Sequence, residues 1–128
     1  MAKVHFDKAV IEIGYFSDLW GPYGFKFPIA TSATANDGLI PFGDTIFSVS
    51  VKTYKGSANR GSDLSNFTEI EDLIDPDYTI EITDGHTVWI KFQNPGSDYY
   101  GEKATLVFEV TLASGGKADF YFQHVAVK

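Results

Sequence analysis

The second half of this chain alternates apolar and polar residues in a way that suits β-strands with one buried face. From Lys103 to Leu112 every second residue is apolar, and most residues between them are polar. Side chains of a strand alternate between its two faces, whereas an α-helix repeats every 3.6 residues or so. The same alternation recurs from Thr45 to Thr53 and from Tyr78 to Phe92. We therefore predict an all-β fold.

The alternation also predicts which residues face the core. In the earliest regular strand we expect Phe47, Val49 and Val51 to point inward. The expected inner residues of the later strands are Tyr78, Ile80, Ile82, Val88, Ile90, Phe92, Ala104, Leu106, Phe108, Val110 and Leu112. Asp84-Gly85 predicts one hairpin turn and residues 113–116 a second. The last strand, Lys117 to Val127, changes phase, which predicts a bulge near His124.

The first half is less regular. Ala9 to Phe16 is predicted to form a strand, and Phe25 to Ala30 a short edge strand broken by Pro28, because proline is best tolerated at sheet edges. The connection from Tyr54 to Pro76 offers the only place for a helical turn, around Asp63 to Leu73. Alternatively, its apolar residues cap the open end of a sandwich.

Short strands separated by turn signals at spacings of roughly 8–12 residues are typical of a sandwich or barrel. We predict a single domain over residues 1–128, an immunoglobulin-like antiparallel β-sandwich of about seven strands, with an N-terminal arm over residues 1–8. The chain contains no cysteine. Its core must therefore hold without disulfide bonds.

The net charge of the chain limits the classes of partner that we expect it to bind. The formal net charge is −7 and the isoelectric point is about 4.7. Nucleic acids and anionic lipids bind proteins chiefly through Lys and Arg, so we expect neither class of partner. No apolar run approaches the ~20 residues of a transmembrane helix. We expect no membrane partner.

The sequence predicts no catalytic residue, no metal ligand and no cofactor, and we expect a protein that is not an enzyme. His5, His86 and His124 are far apart and lack the spacing of a paired metal motif. The acidic run of residues 69–77 lacks the spacing of a calcium loop, so we interpret it as a solvated loop, and cation binding there stays open. No serine lies in a Gly-x-Ser-x-Gly motif.

Aromatic residues concentrate between Tyr15 and Phe27. Exposed aromatic side chains anchor protein interfaces and stack on sugar rings. Together with the terminal arm, they give the candidate partner-binding residues Val4, Phe6, Tyr15, Phe16, Trp20, Tyr23 and Phe25. Two alternatives stay open: the cluster forms one lid of the core, or Trp20 and Tyr23 form the platform of a carbohydrate-binding module.

Three later segments carry a resemblance to a known family. They are the strand entry Ile40-Pro41-Phe42-Gly43-Asp44-Thr45-Ile46, the hairpin of residues 80–88, and residues 99–116, which contain Tyr99-Tyr100-Gly101 and Ser114-Gly115-Gly116. In these the chain resembles the small immunoglobulin-like sandwich proteins of tailed bacteriophage virions. The N-terminal aromatic segment departs from that pattern.

The resemblance implies a structural protein of the virion, assembled in the host cytoplasm, that has no cofactor and binds neighbouring capsid or tail subunits as a homo-oligomer. Capsid decoration is the expected role. A neck, tail or fibre adaptor is the alternative within the same class.

Overall fold

The computed structural model describes residues 2–5, 11–13, 21–35, 37–59, 61–71, 73–93, 96 and 101–127, with main chain alone at 2–5, 11–13 and 123–127. These residues form eight strands and a single 3-10 turn, Leu64–Asn66. The strands are β1 (Ala2–His5), β2 (Ile11–Ile13), β3 (Tyr23–Lys26), β4 (Ile46–Lys55), β5 (Glu81–Thr83), β6 (Thr87–Ile90), β7 (Lys103–Leu112) and β8 (Lys117–Val127). The prediction of an all-β fold is confirmed.

The strands form two four-stranded sheets. Sheet A has the order β1-β3-β6-β5, and sheet B has the order β2-β8-β7-β4. In each sheet three strands are antiparallel. The fourth strand comes from the N-terminal part of the chain and pairs in parallel, β1 with β3 and β2 with β8.

Two expectations for the N-terminal half are corrected by these pairings. Residues 2–5, expected within a free arm over residues 1–8, form an edge strand of the chain's own sheet A. The segment expected at a sheet edge lies inside the sheet, because β3 is flanked by β1 and β6. β3 ends at Lys26, before Pro28 could interrupt its ladder.

Side chains from both sheets pack face to face to form the core of a β-sandwich. Phe25 of sheet A contacts Phe108 and Phe122 of sheet B, with ring centroids 5.1 and 5.3 Å apart. Phe27 contacts Phe108 and Phe120 at 5.3 and 5.2 Å. Such pairs add about 0.5–1.5 kcal/mol each beyond the burial of their area. Around them are buried Ile40, Ile46, Ile70, Leu73, Val88, Ile90, Phe92, Ala104, Leu106, Val110 and Leu112.

The predicted inner faces are confirmed at most positions of the regular strands. All five expected inner residues of β7 are buried, as are Val88, Ile90 and Phe92. The expected bulge near His124 is also confirmed. Ala104 lies opposite Val125 and Leu106 lies opposite Phe122, so β8 carries one residue more than β7 across this interval.

The inward position predicted for Phe47 is wrong. Ile46 lies opposite Leu112 and Ser48 opposite Thr111, so Phe47 is the extra residue of a second bulge, in β4. Its side chain is 73% exposed, whereas Ile46 beside it is 5% exposed and takes the inner position. The bulge thus exchanges the faces of two adjacent apolar residues.

The described part of the connection between β4 and β5 has no α-helix, and the helical turn expected there is the 3-10 turn Leu64–Asn66. The main chain of this connection first pairs with the end of β4, where Ile70 N–H donates to the Thr53 carbonyl at 2.9 Å. It then pairs with the chain beyond β6, where Gln93 N–H donates to the Leu73 carbonyl at 2.8 Å. Ile70 and Leu73 are 1% and 0% exposed. The apolar residues of this connection therefore cap the core, as the alternative interpretation expected.

Candidate interaction surface

Three large apolar side chains are exposed in the part of the chain that the structure describes. Leu39, Phe42 and Phe47 are 41%, 57% and 73% exposed. Leu39 and Phe42 lie on the connection that leads into β4, and Phe47 is the second residue of β4. A folded chain normally buries residues of this size when its core has room for them, so exposed ones close together in sequence mark a candidate contact surface. We call these three residues the apolar end.

A tight turn presents Phe42. Asp44 N–H donates to the Pro41 carbonyl at 3.0 Å, which closes a four-residue turn with Phe42 and Gly43 in its centre. Gly43 has a φ of +77°, in the left-handed region that glycine adopts without steric cost. Phe42 therefore stands at the tip of a turn with a defined backbone.

Hydrogen bonds on both sides of the chain hold the residues that precede Phe47. Ile46 N–H donates to the Gly85 carbonyl of the β5–β6 turn at 2.8 Å. On the opposite side, Ala113 N–H donates to the Thr45 carbonyl at 2.9 Å. The start of β4 is thereby tied to both sheets, and this fixes the main chain from which Phe47 projects.

The carboxylate of Asp44 joins this connection to the β7–β8 turn. Its Oδ1 accepts hydrogen bonds from Thr45 N–H at 2.9 Å and from Ser114 N–H at 3.2 Å. Its Oδ2 accepts from the Ser114 hydroxyl at 2.5 Å. Chiefly through that hydroxyl, these bonds hold the pKa of Asp44 below its ordinary value of 3.8, although partial desolvation opposes them.

The β5–β6 turn packs against the same connection. Asp84 and Gly85 have φ values of +57° and +73°, which confirms the hairpin turn predicted from their sequence. A Cβ atom at Gly85 would lie 2.7 Å from Cγ2 of Thr45. Three turns therefore meet at the apolar end, and their contacts restrict its main chain.

The predicted partner-binding residues are distributed differently. Tyr23 and Phe25 are 6% and 0% exposed and belong to the core, which corrects their assignment to a contact surface. Tyr23 packs against Phe92 with ring centroids 5.6 Å apart. Val4 lies in β1 opposite Phe25. The other predicted residues, Phe6, Tyr15, Phe16 and Trp20, lie outside the described residues.

The carbohydrate-binding hypothesis required Trp20 and Tyr23 to stack on a sugar ring. The burial of Tyr23 makes this side chain inaccessible to a sugar. Trp89 offers no replacement, because it is 8% exposed and its indole N–H donates to the Thr83 hydroxyl at 2.9 Å. The six-membered ring of Trp89 lies over Gly24, where an added Cβ would meet the ring at 2.8 Å. Tyr23 therefore packs in the core, whereas the ring of Trp89 packs against the main chain at Gly24.

Polar residues line two open grooves on the outer face of sheet B, of about 500 and 320 Å³. Glu109 is one of the residues that line the smaller groove. It accepts a hydrogen bond from the Ser50 hydroxyl at 3.3 Å and forms an ion pair with Lys52 at 3.7 Å. Its charge is therefore already partnered within the sheet.

The described residues contain neither a metal-binding cluster nor a membrane-spanning helix. No group of three or more His, Asp or Glu side chains in this part of the chain could hold a metal ion. No helix among the same residues has the length and apolar character needed to cross a membrane.

The apolar end was missed at the sequence level for different reasons at its two aromatic residues. Phe42 lies between Pro41 and Gly43, so turn chemistry alone could have indicated an exposed aromatic. Phe47 has the same parity as Val49, and the alternation assigned it inward. The available signal was the adjacent apolar pair Ile46 and Phe47, which cannot both face the core of a regular strand.

Comparisons with known proteins do not add to this description. The chain matches no protein-family model, no curated protein and no solved structure.

Proposed function

We propose that this chain is a non-catalytic structural protein of a tailed bacteriophage virion, which decorates the capsid by binding neighbouring subunits through its apolar end. One observation carries the proposal. The segment Ile40–Ile46, the first of the three that carry the family resemblance, presents Phe42 to solvent, and the exposed Phe47 follows it immediately. Resemblance and exposed apolar surface thus coincide.

The strand order supports the immunoglobulin type of sandwich. With β3 to β8 taken as strands B to G, sheet A has the order A-B-E-D and sheet B ends in G-F-C, which are the two sheets of that fold. β2 pairs in parallel with the last strand of the chain. The parallel pairing of β1 with β3 departs from a fully antiparallel sheet A.

The geometry of the apolar end suits a binding role. Aromatic side chains provide large contact areas with few rotatable bonds, and interface hot spots are enriched in such anchors. Because the turn that bears Phe42 and the bulge that bears Phe47 are held by hydrogen bonds, little backbone ordering remains to oppose association. A patch of three apolar side chains binds weakly by itself, but many copies on a symmetric shell can bind together with a much higher overall avidity.

A neck, tail or fibre adaptor would use the same surface. Binding to separate capsid and tail fractions distinguishes these roles from capsid decoration. The carbohydrate-binding alternative is not supported by any described residue, since Tyr23 lies in the core. We therefore do not propose it.

The test is binding of the purified protein to phage particles, with separate fractions of empty capsids and of tails. We expect Phe42→Ser and Phe47→Ser each to weaken binding by about tenfold or more, because truncation of an anchor residue costs at least that much. Glu69→Ser, an exposed change on the connection that pairs with the other end of β4, is the matched control.

All three variants should retain the unfolding free energy of the wild type within about 0.5 kcal/mol, because they change exposed side chains. A wild-type protein that binds neither capsids nor tails would refute the virion role. If the Phe42→Ser/Phe47→Ser double variant binds as tightly as the wild type, the contact surface lies elsewhere.

A further inference from the structure

β4 is an edge strand, and part of its free edge has no partner among the residues that the structure describes. At one end of the strand Ile46 N–H bonds to the Gly85 carbonyl, and at the other end the Thr53 carbonyl accepts from Ile70 N–H. The N–H and C=O groups of one residue point to the same side of a strand, and successive residues alternate. Val49 and Val51 therefore direct their main-chain groups to the same edge as Thr53, and no residue in the described ranges pairs with them.

We propose that this open stretch, Val49 to Val51, pairs with the same stretch of a second copy, antiparallel about a two-fold axis at Ser50. In that register Val49 exchanges two hydrogen bonds with the partner's Val51, and Val51 exchanges two with the partner's Val49. The two N–H and two C=O groups that each copy leaves open are all used. Registers centred on Val49 or Val51 would leave some of them unpaired.

The side chains along the stretch favour a second copy as the occupant. Ser50 faces the partner's Ser50 across the axis, and Ser48 faces the partner's Lys52. No acidic residue lies between Ile46 and Lys55, so β4 itself brings no negative charge to the contact. The ammonium of Lys52 is drawn toward Glu109 of β7, 3.7 Å away, and hence away from the partner strand.

The usual protection of edge strands lies outside this stretch. Bulges, lysines that overhang the edge and covering segments are the common devices. Here the bulge at Phe47 precedes the open stretch, and the covering residues 68–70 follow it. In the proposed register, Phe47 comes opposite the partner's Thr53, where the partner's covering segment begins. A bulge bends its strand and increases its twist, so the regular ladder of the proposed pairing ends before Phe47.

The pairing specifies the oligomer expected in the proposed function, but its geometry requires no virion. The contact is much smaller than a standard stable interface, so we expect a weak dimer in dilute solution. The paired fraction should rise where copies are held side by side, because a high local concentration compensates for a weak affinity.

The first test uses the absence of cysteine from the chain, because any introduced thiol is then unique. Opposed residues of a non-hydrogen-bonded antiparallel pair have Cβ atoms about 4.5–5.5 Å apart, close to disulfide geometry after a small shift. Under mild oxidation Ser50→Cys should form a disulfide dimer at least about tenfold faster than Ser57→Cys, an exposed control beyond the end of β4. Equal rates for the two variants overturn the proposal.

The second test places charges at the axis. Ser50→Lys and Ser50→Asp each bring like charges together, and each should weaken self-association by about tenfold or more in sedimentation equilibrium. An equimolar mixture of the two variants should restore association, because opposite charges then meet. Association that persists in both single variants, or that the mixture fails to restore, overturns the two-fold register.

These outcomes remain separate from those of the proposed function. Circular dichroism and thermal unfolding establish that the Ser50 variants fold, which is expected for an exposed side chain. Phe42→Ser should leave the Ser50→Cys disulfide rate unchanged. A failure of self-association with intact particle binding would therefore remove this inference alone.

Discussion

Replacement of Thr105 by Val would remove a buried hydroxyl that holds a loop onto the outer face of sheet B. Thr105 is 0% exposed, although the alternation places it on the outward face of β7. Its hydroxyl accepts from Ala58 N–H at 2.9 Å and donates to the Gly56 carbonyl at 2.7 Å. Ala58 is also 0% exposed, so one of the two residues that the hydroxyl holds is itself fully buried.

The expected loss in the free energy of unfolding depends on which polar groups lose their hydrogen-bond partners. Valine has nearly the shape of threonine, so packing changes little. The Ala58 N–H stays buried without its hydrogen bond, and a buried unsatisfied amide costs about 1–3 kcal/mol. The half-buried Gly56 carbonyl has access to water and adds less. We expect a loss of about 2 kcal/mol, equivalent to a fall in urea midpoint of roughly 1 M.

The assay is equilibrium urea unfolding of the wild type, Thr105→Val and the matched control Thr111→Val. Thr111 lies on the same face of β7, is half-buried, and makes no side-chain hydrogen bond to any described residue. Its replacement should change the unfolding free energy by less than about 0.5 kcal/mol. Amide exchange at Ala58 should accelerate in Thr105→Val beyond the global change in stability. Equal costs at the two positions would refute the role assigned to the Thr105 hydroxyl.

Two further predictions concern the turns at the apolar end. Gly85→Ala should destabilise the fold by about 2–4 kcal/mol, because the alanine would have a positive φ and a Cβ 2.7 Å from Thr45. Gly43→Ala should cost only about 1 kcal/mol, because this position has a positive φ but no atom within 4 Å of the added Cβ. Equal losses of stability in thermal unfolding would contradict the contact between Gly85 and Thr45. The lowered pKa of Asp44 means that its charged form stabilises the fold above about pH 3.8 and that this contribution is lost as the pH falls through the folded-state pKa. The melting-temperature advantage of the wild type over Asp44→Asn should therefore shrink below pH 3.8, and an advantage independent of pH would show that the bonds to Ser114 do not depend on the charge.

The regular strands could be predicted because their side chains have a period of two that no other element shares. β7 is the clearest case, since its inner residues were identified correctly from Ala104 to Leu112. The bulge in β8 was also visible in the sequence, because apolar residues change parity along that strand. Local alternation thus predicted the elements and one of their irregularities.

The pairing of residues that are distant in the sequence leaves no pattern comparable to the alternation of a strand. Nothing in residues 2–5 distinguishes a free arm from a strand, because their partner, β3, lies about twenty residues further along the chain. The burial of Thr105 depends in the same way on a loop that folds back from residues 56–58. Tyr23 and Phe25 were placed on a surface for the same reason: their burial depends on Phe92, Phe108 and Phe122, which are distant in the sequence.

The two proposed contact surfaces meet on β4, and their arrangement affects how a dimer would bind. Phe47 lies three residues from Ser50, about 10 Å at the rise of an extended strand. A two-fold axis at Ser50 would therefore place the two copies of Phe47 roughly 20 Å apart, one on each side of the axis. A dimer formed through the open stretch presents two apolar ends, and its second contact with a partner surface becomes intramolecular. Weak edge pairing and a small apolar patch can then reinforce each other, because each raises the local concentration that the other requires.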